Sequence, residues 1–71
     1  MKQISIHGYR TKYEDEDYNG IKYLLQDLQY DEAKVFFEQA RLRRSAQFED
    51  DFEGQYTISY NSDGTYTLSR R

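Results

Sequence analysis

The chain has no cysteine, no proline and no apolar run longer than a few residues. Without cysteine, disulfides and thiolate metal sites are excluded, which agrees with a reducing compartment. Without a long apolar stretch no helix can cross a bilayer, and the N-terminus lacks the apolar centre of a signal peptide. A cytoplasmic protein is the expectation. Positive charge is not in excess either: ten Lys and Arg stand against thirteen Asp and Glu, for a net charge of −3. This argues against a general nucleic-acid binder, which presents a basic field. Seventy-one residues make one domain, 1–71, and a chain of that length buries only about 60% of its unfolded surface.

The most regular pattern lies in the C-terminal third. Gly54-Gln55-Tyr56-Thr57-Ile58-Ser59 and Gly64-Thr65-Tyr66-Thr67-Leu68-Ser69 repeat one alternating pattern, each after a short polar segment ending in glycine, so they read as adjacent strands of a β-meander. Their register follows from the turn. A three-residue loop Ser62-Asp63-Gly64, closing on a left-handed glycine, sets Tyr60 opposite Tyr66, Ile58 opposite Leu68 and Tyr56 opposite Arg70. A two-residue loop would mix apolar and polar faces, since a slip of one residue inverts a strand. The same reasoning at Phe52-Glu53-Gly54 sets Phe48 opposite Ile58 and Ala46 opposite Tyr60. One face then carries Ala46, Phe48, Tyr56, Ile58, Tyr60, Tyr66 and Leu68. The other carries Gln47, Glu49, Thr57, Ser59, Thr65, Thr67 and Ser69, and is wet.

Upstream, Lys2 to Gly8 alternates around Ile4 and Ile6 and reads as a short edge strand. Tyr9 to Gly20 reads as a polar connection. Ile21, Leu24, Leu25 and Leu28 have the spacing of an amphipathic helix, and Ala33, Phe36, Phe37 and Ala40 form a second stripe. At 100° per residue the two stripes are centred roughly 120° apart, so a break near Gln29-Tyr30-Asp31 predicts two helices rather than one. Asp31 is the expected cap of the second, with Tyr30 stapled to Val35. Arg41 to Arg44 suit its C-terminus. The expected architecture is α+β, in the order β-α-α-β-β-β, with two helices on one face of a mostly antiparallel three- to four-stranded sheet. Tyr30 to Ala40 resembles the second helix of a tetratricopeptide repeat over eleven residues; with no second copy, the resemblance implies helix packing only.

Four patterns bear on function. Asp15-x-Asp17-x-Asn19-Gly20 resembles the first half of an EF-hand loop and implies a weak calcium site at residues 15–20, but Gln26 stands where a bidentate Glu is required. As an acidic helix N-terminus the same residues need no metal. Arg41, Arg43, Arg44, Arg70 and Arg71 could gather into a phosphate-binding patch, although the aromatic residues belong to the core face. Glu14 to Asp17, Asp31, Glu32, Glu38 and Glu49 to Asp51 could act as surrogate phosphates in a nucleic-acid mimic if the basic residues segregate. His7, the single histidine, reads as a solvated residue of the edge strand. No catalytic, cofactor or metal residue is assigned, and the expected function is a non-enzymatic protein-interaction domain that offers its Thr/Ser face to a partner. A homodimer through the unpaired edge of the last strand is one form of this.

Overall fold

The computed structural model describes residues Met1–Arg71. Five strands, β1 (Lys2–Ile6), β2 (Tyr9–Tyr13), β3 (Ser45–Glu49), β4 (Gln55–Tyr60) and β5 (Tyr66–Arg70), form one sheet in the order β1-β2-β5-β4-β3. Three pairings are antiparallel and β2–β5 is parallel. Between β2 and β3 run the helices α1 (Tyr18–Lys22) and α2 (Tyr30–Arg43); α1 is preceded by a 3-10 turn at Asp15–Asp17 and followed by a wide π turn at Tyr23–Asp27. The class is α+β, as the sequence implies, with five strands instead of three or four and a mixed sheet.

The added strand is β2, in the segment read as a polar connection. Tyr9, Thr11 and Tyr13 share the inner face, with Arg10 and Lys12 on the other, so the alternation is that of a half-buried strand with a threonine at its centre. Thr11 is fully buried and its hydroxyl donates to the Tyr9 carbonyl at 3.1 Å. β1 pairs with this strand through the turn His7-Gly8, where φ is +51° and +92°, both positive as a two-residue hairpin of this hand requires. β1 is therefore an edge, but not of the meander. β5 lies inside the sheet, so the edge proposed for self-association is occupied by β2; the open edges are β1 and β3.

The meander has the expected β4–β5 register, with Tyr60 opposite Tyr66, Ile58 opposite Leu68 and Tyr56 opposite Arg70. Gly64 has φ +87°. The β3–β4 register differs by two residues: Phe48 faces Tyr56 and Ala46 faces Ile58. The loop spans Asp50 to Gly54, closed by Asp50 N–H to the Gly54 carbonyl at 2.9 Å, and its left-handed residue is Glu53 (φ +65°). A shift of two leaves every side chain on its predicted face.

The helices break at Leu28-Gln29, close to the predicted position. Leu28 is extended, and Gln29 rather than Asp31 caps α2, its N–H donating to Glu32 Oε1 at 3.0 Å. Tyr30 and Val35 are exposed and form no staple. Ala33, Phe37 and Ala40 of α2, with Ile21 and Leu24, are buried against the sheet. Phe37 stacks on Tyr9 with centroids 4.4 Å apart and meets Tyr66 edge-on at 5.0 Å. Phe48 joins Tyr56, Phe36 and Tyr23 in a second aromatic group, at 5.3, 5.3 and 5.9 Å. Tyr56 and Tyr66 thus belong to the buried core, with Tyr9, Tyr23 and Tyr60 packed against it, as sequence alternation implies for the meander. No helix is long and apolar enough to cross a membrane.

Candidate functional site

With both helices on one side, the second face of the sheet is uncovered. The strand registers align Gln3, Lys12, Thr67, Ser59 and Ser45 in one rung across all five strands. A second rung runs Gln47, Thr57, Ser69. Arg10 and Ser5 pair at the β1–β2 end, so the face is rich in hydroxyls, with cations at one side. Thr65, expected on this face, is buried before β5 begins. Its hydroxyl donates to Asp63 Oδ1 at 2.6 Å, and Asn61 donates to both Thr65 and Thr67.

Asp63 anchors this corner. The hydroxyl and N–H of Thr65, then the Lys12 ammonium at 3.4 Å, favour its ionised form and hold its carboxyl at about 2. The stability it contributes is therefore present above the ordinary aspartate value of about 3.9 and is lost as pH falls from there through about 2. Asp63→Asn will reduce the acid sensitivity of unfolding in that window and leave stability nearly independent of pH between 6 and 8. Denaturant melts at pH 2.5, 4 and 7 measure this.

At the opposite end of β4 the β3–β4 loop forms a second feature. Asp50, buried, receives the N–H groups of Phe52 (2.9 Å) and Gly54 (2.7 Å) on Oδ1 and the Tyr56 hydroxyl (3.2 Å) on Oδ2. Burial pushes this carboxyl up, but the three hydrogen bonds and the charge of Arg70 outweigh it, and the group sits below the ordinary aspartate value. Gly54 is required here for space rather than for backbone freedom: a Cβ would lie 2.8 Å from Asp50 Oδ2 and 2.9 Å from the Tyr56 hydroxyl. The clamp fixes the loop backbone at Phe52, whose side chain is 84% exposed. Between this loop and the first helical segment lies a groove of about 510 Å³, walled by Tyr23 and Phe52 and lined by Asn19, Lys22, Asp27, Asp50 and Asp51. Tyr23 is fixed by stacking on Phe48. Burial, then the carboxylates of Asp51 and Asp27, push its hydroxyl up.

The remaining sequence candidates are dispersed. Asp15 pairs with Lys2, and both oxygens of Asp17 are occupied by backbone, accepting Glu14 N–H and Arg70 N–H at 2.9 Å each. Because residues 15–22 are helical, Asp17 turns inward, about 200° from each of the exposed Asp15 and Asn19, so the three do not converge on one ion. No group of three or more His, Asp or Glu side chains is arranged to hold a metal. Arg44 and Arg70 lie beside opposite ends of β4, next to Tyr60 and Tyr56, so the five arginines do not gather. Among the acidic residues, Asp15 and Glu38 each carry a cation, from Lys2 and Arg41. His7 is half-buried rather than solvated: its Nε2 donates to the Leu24 carbonyl at 3.1 Å, and its ring meets Tyr30 edge-on. The groove is the feature that sequence reading missed. Phe52 within an acidic turn was its one visible signal. Compared with protein-family models, curated proteins and solved structures, the chain matches none.

Proposed function

We propose that the protein is a non-enzymatic protein-interaction domain of the cytoplasm that receives a partner on the uncovered sheet face. The observation that carries this reading is the five-strand polar face itself, continuous from Gln3 to Ser45 and free of any covering helix. At about 4.8 Å between strands and 3.3 Å per residue, it offers roughly 400 Å², half of what one partner contributes to a standard interface. A transient complex is the corresponding expectation. The threonine methyls and hydroxyls supply adaptable contacts, and Arg10 and Lys12 favour an acidic counterpart. The one imidazole is committed to the Leu24 carbonyl, and the serines of the face have no base beside them in the hydrogen-bond network, which favours binding over catalysis.

Thr57 and Thr67 are the positions to alter. Both are outward and half-exposed near the middle of the sheet. The double substitution Thr57→Glu, Thr67→Glu, which sets negative charge against an acidic counterpart, will leave the melting temperature within a few degrees of the parent. It will abolish co-purification of whatever protein the parent retains from its own cells. Retention of the same partner by the folded double variant would refute the assignment of this face.

A further inference from the structure

We propose that the groove between Tyr23 and Phe52 is a binding site for an arginine side chain presented by a partner protein. This rests on the reading as an interaction domain, but uses residues that the sheet face does not. Three independent features converge on it. It is a concavity of about 510 Å³, within the 300–1,000 Å³ range of binding pockets and ample for one long side chain. Its walls are two aromatic rings: Tyr23, immobilised on Phe48, and Phe52, the most exposed large apolar side chain of the protein. Its floor and rim carry carboxylates, of which Asp27 and Asp51 make no ion pair within the chain.

Aromatic faces attract cations through their quadrupoles, and a planar guanidinium both stacks on such faces and takes a carboxylate in two parallel hydrogen bonds. Lysine shares the charge but not the plane. Lys22, on the same rim, repels a second cation from its own side and so directs the ligand toward Asp27 and Asp51. The Asp50 clamp fixes the backbone of the loop at Phe52 and Gly54, and a loop already ordered loses less entropy on binding. Since Phe52 projects beyond the groove, the partner residue next to the arginine is apolar and covers it.

The probe is the tripeptide acetyl-Leu-Arg-Leu-amide, titrated into the nitrogen-15-labelled protein, with the lysine and citrulline analogues as comparisons. Citrulline keeps the plane and removes the charge. The expected result is saturable shifts confined to residues 19–27 and 50–54, at least tenfold weaker binding for citrulline and several-fold weaker for lysine. Asp27→Asn with Asp51→Asn will weaken the arginine peptide at least tenfold, and Phe52→Ala several-fold; all three side chains are exposed, so the variants keep the fold. Thr57→Glu, Thr67→Glu will bind the peptide like the parent, which separates failure of this site from failure of the sheet face. Equal binding of arginine and citrulline, shifts spread evenly over carboxylates such as Glu14 to Glu16, or no shifts at all would each overturn the proposal.

Discussion

Asp50→Ala is expected to destabilise the protein by about 3 kcal/mol and to lower its melting temperature by roughly 15 °C. The carboxylate accepts two backbone N–H groups and the Tyr56 hydroxyl; alanine leaves the buried Gly54 N–H and a fully buried tyrosine without their partner. Hydrogen bonds to a charged group contribute about 1.5–3 kcal/mol each, and three that share one acceptor residue do not add in full. Tyr56→Phe removes only one of them and should cost about 1 kcal/mol. The pH dependence separates this from a packing defect. Asp50 is held below its ordinary value, so its contribution is present above about pH 4 and declines as pH falls through the folded value. The parent and Asp50→Ala will therefore differ most near neutrality, and their stabilities will converge in acid. Chemical denaturation across pH 2 to 7 measures the gap.

Gly20→Val is the second large effect, again about 3 kcal/mol. α1 crosses the sheet with its backbone against Tyr56 and Leu68: a Cβ at residue 20 would lie 2.8 Å from two ring carbons of Tyr56 and 3.0 Å from Leu68 Cδ2. Both neighbours are essentially without solvent exposure, so neither can yield without moving the core. Alanine would gain up to about 1 kcal/mol in helix propensity yet meet the same contacts, and should be intermediate. At Gly8 the space is open and the constraint is instead φ +92°. Thermal melts of the Gly20 series test whether close approach of α1 is needed.

How far the chain could be read follows from which forces are local. The β4–β5 register was legible because a glycine-closed turn and three matched pairs sit within fifteen residues of one another. For β3–β4 the faces were legible but the offset was not. One carboxylate of the run Glu49-Asp50-Asp51 turns inward to organise the loop, and nothing in an acidic run distinguishes it. β2 had a visible pattern, Tyr9-Arg10-Thr11-Lys12-Tyr13, obscured by its cations and central threonine. The parallel contact of β2 with β5 joins Thr11 to Tyr66, a pairing without local signal. Apart from Thr65, which is buried ahead of β5, the open face survived these errors, since side-chain alternation has a period of two. The groove depended on bringing Tyr23 beside Phe52, and that juxtaposition exists only in three dimensions.

Site-specific photo-crosslinking in the cells from which the protein comes tests the interaction reading most directly. A benzophenone amino acid would be placed in turn at Thr57, Ser59 and Thr67 on the sheet face, and at Val35 and Leu42 on the outer side of α2, which is also exposed. The account predicts one discrete adduct from the three sheet positions, lost in the presence of Glu substitutions at neighbouring face residues, and none from α2. Adducts from α2 alone, or a diffuse set equal at all five positions, would contradict it.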